Sequence, residues 1–225
     1  MTNRNFREVL DLLDQKGDLI RISKEVDPKF EMPALMKQLE EEGKAFIFEN
    51  VKGSKHPSVG GIFTTMDRYG LIFNADASEK YTFDEAGGRV LSGIAHPIEN
   101  IVLDKGPISE EKFFDDAINL KDFPVATFFE LDSGPFITSA VGIFKKPNGV
   151  INVGFYRCMI VDRNHLLINA SGLSDLRKSY DWHRENNKEM SVAMVIGAPP
   201  PLLMAAASKC PDDISELEVA GGMIG

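Results

Sequence analysis

Cysteine and long hydrophobic runs are both scarce in this sequence. Its 225 residues contain two cysteines, Cys158 and Cys210, which is typical of a protein that keeps its thiols free in a reducing compartment. No apolar run approaches the length of a membrane span, and residues 1–4 lead into an amphipathic helix and not into a signal peptide. The sequence therefore predicts a cytoplasmic protein with no membrane partner.

Positive charge is also in short supply. The chain has 25 Lys and Arg residues against 34 Asp and Glu residues, which gives a formal net charge of -9 at pH 7. Non-specific binding to nucleic acid requires clustered Lys and Arg to neutralise phosphates. We therefore expect no nucleic-acid partner.

The common catalytic and cofactor motifs are missing. The sequence has no Gly-x-Gly-x-x-Gly, no phosphate-binding loop, no Cys-x-x-Cys, no His-Glu-x-x-His and no Gly-x-Ser-x-Gly. Histidines stand at positions 56, 96, 165 and 183, and no two of them have the spacing of metal ligands on a helix. A scattered histidine is more often a surface or hydrogen-bonded residue than a ligand, so no histidine cluster is predicted.

The composition that remains is that of a globular protein. Hydrophobic residues make up 43% of the chain and charged residues 26%, which are ordinary values for a folded domain. The length suits one large domain or two modest ones with a substantial core.

The first part of the chain alternates between helix and strand signals. A capped amphipathic pattern predicts a helix through residues 6–13 that ends at Gly17. The pattern then predicts a strand at residues 19–22, a helix at 32–42 and a short buried strand at 45–48. Strand, helix and strand in this order are typical of an α/β domain.

Later in the chain the pattern changes to strands. Residues 136–144, 150–161 and 165–169 are rich in β-formers, and an Asn148-Gly149 turn joins the first two as a hairpin. Three further elements are predicted: a helix at 174–187, a buried strand at 192–197 and a helix at 202–208.

These patterns predict an α+β fold with two domains. We expect an N-terminal α/β domain over residues 1–105, and a domain over residues 106–225 built on an antiparallel sheet or barrel.

One stretch, residues 149–157, has the composition of a binding site. Asn152 can ligate a hard cation, Gly154 permits a bulge or the close approach of a ligand, and Arg157 carries a permanent charge. Asn152 and Arg157 stand an odd number of residues apart, so a regular strand points them to opposite faces. The alternative is a half-buried strand with a surface arginine, and these residues alone do not choose between the two.

Six motifs, in order, resemble the UbiD-type decarboxylases over essentially the whole chain. Any one of them is weak, but six in register are specific. They are Leu19-Ile20-Arg21-Ile22 with Glu25-Val26-Asp27-Pro28, Phe46 to Gly53, Gly134 to Thr138, Asn152 to Arg157, Val195 to Pro200, and Ser215-Glu216 leading to Gly221.

The resemblance implies a fold, a reaction and a set of cofactors. Enzymes of that family use prenylated FMN, a divalent metal and a potassium ion to decarboxylate aromatic or α,β-unsaturated acids reversibly. Their cofactor domain is similar to the split β-barrel of flavin reductases. They are oligomers, so an oligomer that acts on a small carboxylic acid is expected here.

The resemblance also implies roles for particular residues. Asn152 and Glu216 would be oxygen ligands of Mn²⁺ or Mg²⁺, bridging to the phosphate of prenylated FMN or FMN. Arg157 would be the catalytic residue that faces both the substrate carboxylate and the flavin. The residues along the cofactor would be Thr138, Val153, Gly154, Arg157 and Ser208.

The chain departs from the family pattern in two places. The family has a metal-binding histidine about twenty residues after the asparagine, and residues 168–174 contain none, which is expected to weaken metal binding. His165 falls too early and His183 lies in the following helix. Family members are also roughly twice as long, and their C-terminal half carries the glutamates that serve as proton donor and base.

Three interpretations stay open. The chain is part of an active decarboxylase, either truncated or completed by a second polypeptide that supplies the C-terminal half. Alternatively, it binds a flavin or phosphate ligand without catalysis, or it is a structural subunit only.

Overall fold

The computed structural model describes residues 5–73 and 80–225, and it contains both helices and strands in each half of the chain. The helices in these ranges are α1 Phe6–Gln15, α2 Glu31–Glu41, α3 Met66–Ile72, α4 Phe83–Ala95, α5 Asp175–Glu185, α6 Pro200–Ala207 and α7 Glu216–Ile224. The strands are β1 Leu19–Ile22, β2 Ala45–Phe48, β3 Ser58–Gly60, β4 Phe136–Ile137, β5 Val141–Lys145, β6 Ile151–Phe155, β7 Cys158–Ile160, β8 Leu166–Ile168 and β9 Ala193–Val195. No helix of the described residues is both long enough and apolar enough to cross a membrane.

The N-terminal sheet confirms the predicted strand–helix–strand order. Strands β1 and β2 pair in parallel, and α2 forms the crossover between them. Ala45, Phe46 and Phe48 of β2 are buried, as expected for a strand that a helix covers. The sequence did not predict β3, which pairs antiparallel with β2 and is too short for an alternating pattern to show.

The strands of the second half form two antiparallel sheets. One has the order β4-β7-β8 and the other has the order β6-β5-β9. The α+β prediction is therefore correct, and so is the prediction of antiparallel pairing. Closure of the two sheets into a split barrel stays a prediction, as does the domain boundary at residue 105.

Two predicted strands are each broken into two, and this was not foreseen. The predicted strand at residues 136–144 is divided into β4 and β5 by an irregular segment at 138–140. The predicted strand at residues 150–161 is divided into β6 and β7 at residues 156–157. At both breaks the chain leaves one sheet and enters the other, which is how strands turn the corner between packed sheets.

The predicted hairpin between β5 and β6 is confirmed. The backbone N–H of Lys146 donates to the carbonyl of Val150 at 2.8 Å, and Gly149 has a φ of 93° that a residue with a Cβ rarely adopts. The Lys146 Nζ also donates to the carbonyl of Asp212 at 2.7 Å. The hairpin tip is therefore attached to the loop that precedes α7.

Helix α7 occupies the centre of the packing around β6. It packs against α4, α6 and β6, and its apolar residues Val219 and Met223 lie in a core cluster with Val9 and Leu13 of α1. The first and the last of the described helices therefore share one hydrophobic core.

Strand β9 differs from the prediction in its environment. The sequence predicts a buried strand at residues 192–197, whereas Ala193 is exposed and Met194 and Val195 are half-buried. Pairing to β5 at the edge of a three-stranded sheet leaves one side of β9 open to solvent.

Candidate functional site

Asn152 and Glu216, the two predicted metal ligands, are in direct contact. The Asn152 Nδ2 donates to Glu216 Oε1 at 3.3 Å, and the backbone N–H of Val153 donates to Glu216 Oε2 at 2.7 Å. Both side chains are buried, with 4% of Asn152 and 7% of Glu216 exposed. The fold therefore brings together two polar residues that lie far apart in the sequence.

Glu216 reaches this position because it is the first residue of α7. Ser215 caps the helix: its hydroxyl accepts from the backbone N–H of Leu217, while the side chain of Glu218 accepts from the backbone N–H of Ser215. The Ser215-x-x-Glu218 spacing is a helix-start signal, although no helix was predicted there. Helix α7 then packs on β6 and directs its first carboxylate at Asn152.

Tyr156 fixes the orientation of the Asn152 amide. Its hydroxyl donates to Asn152 Oδ1 at 3.0 Å, so the amide nitrogen faces Glu216. The tyrosine ring folds back over two paired glycines, and a Cβ on Gly142 or Gly154 would lie 2.8 Å or 3.1 Å from its atoms. Strand β6 pairs regularly with β5 at Gly154, so the close approach there is made by the ring of Tyr156, without a bulge.

The negative charge of Glu216 is only partly compensated by its surroundings. Burial raises the pKa of Glu216, the nearby carboxylate of Asp175 raises it further, and hydrogen bonding from Val153 and the charge of Lys146 oppose the rise. Burial, with a further contribution from Asp175, raises the pKa of Tyr156 to about 12. Tyr156 is therefore a protonated donor at neutral pH.

The donor set fits a hard divalent cation. An amide oxygen and each carboxylate oxygen have two lone pairs, so Asn152 Oδ1 and both oxygens of Glu216 keep acceptor capacity beyond the hydrogen bonds they make here. Buried oxygen donors are the ligands that Mn²⁺ and Mg²⁺ prefer. A cation would also relieve the electrostatic cost of the buried carboxylate.

The predicted catalytic residue, Arg157, lies in the break between β6 and β7. It is exposed, and its guanidinium lies 5.2 Å from the ring centroid of Phe136. Thr138 is exposed two residues after Phe136, in the break between β4 and β5. Arg157 thus contacts the ring of Phe136, and Thr138 lines the same cavity as Phe136.

A cavity of about 710 Å³ opens beside Phe136 and Thr138. Its walls are mostly apolar and come from α2, from residues 57–64, from residues 123–128 and from β4 with the segment after it. The described residues that line this cavity do not include Asn152, Glu216, Arg157 or Ser208.

The remaining predicted cofactor residues have identifiable contacts in the protein itself. The Val153 side chain is buried with Val141 and Ala198, which leaves its backbone N–H as the group that faces the site. Ser208 follows α6, and its hydroxyl donates to the carbonyl of Ala205 at 2.7 Å.

Neither nearby histidine joins the site. His165 contacts Asp162 at 2.8 Å, and the Nδ1 of His183 lies 2.8 Å from the carbonyl oxygen of Ser179 within α5. Within residues 5–73 and 80–225, no group of three His, Cys, Asp or Glu side chains is arranged to hold a metal ion. Burial raises the pKa of the thiols of Cys158 and Cys210, which disfavours the reactive thiolate form.

Two residues beside the pair were not predicted as site residues. Tyr156 belongs to the motif but shows no separate signal, because its contact with Asn152 depends on the glycines beneath its ring. Asp175 follows the helix cap Ser174, and in the sequence it is an ordinary acid in the first turn of a predicted helix. Its effect on Glu216 appears only in the folded chain.

Comparisons with known proteins identify the family to which the chain is similar. A family profile described as the 3-octaprenyl-4-hydroxybenzoate carboxy-lyase Rift-related domain matches residues 100–225. The profile of the N-terminal domain of the same carboxy-lyase matches residues 10–83.

Solved structures of UbiD-class enzymes match almost the whole chain. HmfF from Pelotomaculum thermopropionicum in complex with FMN is 28% identical, with a TM-score of 0.88 over 98% of this chain and 48% of that chain. An evolved dimeric form of the same enzyme, in complex with prFMN, is 28% identical with a TM-score of 0.87, over 97% of this chain and 50% of that one. Vanillic acid decarboxylase from Sedimentibacter hydroxybenzoicus, in closed form, is 26% identical with a TM-score of 0.87, over 100% of this chain and 49% of that chain.

The present chain spans about half the length of these related chains. The profile of the Rift-related domain alone covers more than half of the 225 residues and includes Asn152, Arg157 and Glu216. The protein therefore belongs to the UbiD family.

Proposed function

We propose that this chain is the cofactor-binding part of a reversible, non-oxidative decarboxylase of aromatic or α,β-unsaturated carboxylic acids. In this proposal a second polypeptide supplies the part that corresponds to the remaining half of the related chains. The observation that carries the proposal is the contact of the buried Glu216 with Asn152 and with the backbone N–H of Val153.

The proposed cofactors are prenylated FMN, or FMN, with Mn²⁺ or Mg²⁺ and a potassium ion. Glu216 by itself would repel a phosphate group, so a cation between them is required for the phosphate to bind here. Asn152 and Glu216 would hold the divalent ion, which in turn would hold the cofactor phosphate. The prenylated flavin supplies the electron-accepting chemistry of decarboxylation when it is bound.

Arg157 is proposed to bind the substrate carboxylate. Its guanidinium keeps its charge at every physiological pH and can contact two oxygens at once. The guanidinium of Arg157 lies over the ring of Phe136. Thr138 and Phe136 line the same cavity. A volume of about 710 Å³ with mostly apolar walls is in the range of pockets that hold flat aromatic ligands.

A second polypeptide is proposed because a connecting segment is left uncovered. Ile101, Val102, Leu103 and Ile108 are 74–96% exposed, and residues 100–106 form no helix or strand. Contiguous exposed apolar surface of this kind marks an interface. In the proposal, the polypeptide with the missing catalytic glutamates covers this segment in an oligomeric enzyme.

A second candidate function is a flavin- or phosphate-binding subunit without catalysis. The described residues that line the cavity include one carboxylate, Glu40, and no histidine. General acid–base catalysis needs a positioned proton carrier, and the exposed Glu40 on α2 has no partner carboxylate in the cavity wall.

Calorimetric titration of FMN into the 225-residue chain, with and without Mn²⁺, tests the shared part of both candidates. We expect binding that depends on Mn²⁺ in the parent, and Glu216→Ala should reduce this dependence. Asp213→Ala is the matched control, since it removes an exposed carboxylate three residues before Glu216. Tight binding that needs no metal and survives Glu216→Ala would show that this pair does not form the site.

A further inference from the structure

A smaller cavity, of about 360 Å³, opens between the tip of the β5–β6 hairpin and the last turn of α5. Residues 145–149 form one wall, and Trp182 and His183 form the other. The described residues that line it include two lysines and no carboxylate. In a chain with a formal net charge of -9, a cavity whose charged residues are all basic favours an anionic ligand.

Both lysines of the hairpin wall have N–H groups to offer a ligand. The side chain of Lys145 passes over the turn, where its Cε lies 3.8 Å from the place that a Cβ on Gly149 would occupy. The Lys146 Nζ donates to the carbonyl of Asp212 at 2.7 Å, and the Lys146 side chain is only 10% exposed. An ammonium has three N–H donors, so Lys146 is anchored by one bond and keeps two further donors.

The opposite wall consists of two aromatic rings at the end of α5. The rings of Trp182 and His183 meet edge-on with their centroids 5.0 Å apart, and the Lys188 Nζ lies 4.8 Å from the Trp182 centroid. The carbonyl of Trp182 accepts from the backbone N–H and the side-chain amide of Asn186, and that of His183 accepts from the backbone N–H of Lys188. Because these carbonyls are already hydrogen-bonded, the negative end of the helix dipole is partly neutralised beside the cavity.

The kind of base on the wall indicates which anion fits. Lysine binds phosphate as a point charge, whereas the planar fork of arginine suits a carboxylate. The described lining residues include no arginine. The ammonium groups of Lys145 and Lys146 together match the charge of a phosphate monoester, and the ring of Trp182 adds a surface that a planar organic group can contact.

We propose that this cavity binds a small phosphate monoester with a planar organic group, of the kind found in a nucleoside monophosphate. Lys145 and Lys146 hold the phosphate, and Trp182 contacts the organic group. This site goes beyond the decarboxylase function, since its lining residues include neither Asn152 nor Glu216 among the described residues.

The fluorescence of Trp182 provides a direct test, because Trp182 is the only tryptophan in the sequence. The 225-residue chain is titrated with AMP in a chelator, which removes the cation that a phosphate would need beside Glu216. Calorimetry gives the affinity, and the emission of Trp182 is followed in the same solutions. We expect AMP to change that emission and to bind more tightly than inorganic phosphate or benzoate, with an affinity that falls as the ionic strength rises.

Variants of opposite sign make the test specific. Lys145→Gln should weaken AMP binding by about tenfold. Lys37→Gln is the matched control, since it removes a 79% exposed lysine side chain from α2, and it should leave the affinity within about twofold. Asp212→Asn should strengthen binding, because it removes the carboxylate 3.9 Å from the Lys146 ammonium and keeps the backbone carbonyl that anchors it.

Several results would overturn this assignment. They are a parent chain that does not bind AMP, AMP binding that leaves the Trp182 emission unchanged, and equal affinities in the parent, Lys145→Gln and Lys37→Gln. Benzoate that binds more tightly than AMP would exclude a phosphate site, and inorganic phosphate that binds as tightly as AMP would exclude the contact with Trp182. The titration of FMN decides the proposed function separately, because FMN binding that depends on Mn²⁺ should be the same in the parent and in Lys145→Gln.

Discussion

Among single residues, Glu216 has the most informative environment. It is a carboxylate at the start of a helix, where negative charge is favoured, and yet burial raises its pKa. The favourable hydrogen bond from Val153 does not outweigh the loss of hydration. A carboxylate whose charged form is disfavoured by burial would gain stability when a cation binds to it.

We expect Glu216→Gln to stabilise the metal-free protein at neutral pH. The ordinary pKa of this group is 4.5 and the folded protein raises it, so the folded state holds the proton more tightly than the unfolded state. Stability of the parent therefore falls as the pH rises from about 4.5 through the raised pKa. The glutamine variant should lack this fall.

The measurement is urea denaturation in a chelator at a series of pH values. The difference between parent and variant should vanish at about pH 4.5 and below, and Mn²⁺ should reverse its sign at neutral pH. Identical pH profiles for the two proteins would mean that Glu216 is not destabilised by its burial.

Arg157 should contribute to ligand binding and not to folding. Its guanidinium is exposed and lies over Phe136, so its removal leaves no buried group unpaired. A charge-assisted hydrogen bond is worth roughly 1.5–3 kcal/mol, and exposure places Arg157 at the lower end. Arg157→Ala should weaken FMN binding in the presence of Mn²⁺ by about tenfold and leave the melting temperature unchanged.

Arg157→Lys is the matched control for that prediction. It keeps the charge and loses the planar fork, so it should recover part of the affinity. Titration calorimetry of FMN in the presence of Mn²⁺ measures the affinity of both variants. Equal affinities in parent, Arg157→Ala and Arg157→Lys would exclude Arg157 from the binding site.

Among the structural elements, the contact between α4 and α7 helps to position Glu216, the first residue of α7. The two helices approach so closely that a Cβ at Gly93 would lie 2.5 Å from the carbonyl oxygen of Val219. At Gly222 a Cβ would lie 2.4 Å from the carbonyl oxygen of His96. Both clashes are with backbone, which cannot move aside as a flexible side chain can.

Gly93→Ala should therefore destabilise the protein, by about 1–3 kcal/mol. Gly88→Ala, in the same helix, meets nothing within 4 Å and should stabilise the protein by up to about 1 kcal/mol through helix propensity. Urea denaturation measures both. If the two substitutions change stability in the same direction, then α4 and α7 do not pack as closely as described.

A second consequence follows for the site. Because Gly93→Ala pushes α7 away and Glu216 begins that helix, Mn²⁺ affinity should fall in Gly93→Ala and not in Gly88→Ala. Stability and metal binding are thus coupled through one helix contact.

At the scale of the whole molecule, the connecting segment around residues 100–108 leaves apolar side chains exposed. Ile101 and Ile108 are 86% and 96% exposed. Leaving apolar surface of this size in contact with water is unfavourable in free energy. The related vanillic acid decarboxylase matches over 49% of its own length. The proposal of a second polypeptide accounts for both observations.

We expect no turnover of aromatic or acrylic acids by the 225-residue chain supplied with mature prenylated FMN. The described cavity has no pair of acid–base residues, so the bound cofactor would lack a proton carrier. The rate of CO₂ release is measured and compared with the rates of a cofactor-only control and of a full-length related enzyme. Steady release well above the cofactor-only rate would contradict this prediction.

The sequence by itself determined most of the local structure. The β5–β6 hairpin follows from the turn at Asn148-Gly149, and the parallel β1–β2 pair follows from the strand–helix–strand order. Helix starts at Asn5 and Ser174 are caps that a few neighbouring residues decide. Family membership was likewise predicted from short motifs in order and is confirmed by the comparisons. Each of these depends on residues that are close in the chain.

Only the tertiary structure decided how the site is assembled. The sequence named Asn152, Glu216, Arg157 and Thr138, but it did not show the hydrogen bond between the first two or the contact of Arg157 with Phe136. Thr138 and Arg157 lie in the breaks at residues 138–140 and 156–157, where the chain changes sheets. Asn152 and Glu216 are 64 residues apart, and their contact depends on how α7 packs against β6, α4 and α6. No local pattern records such packing, because it arises from the burial of side chains that come from every part of the chain.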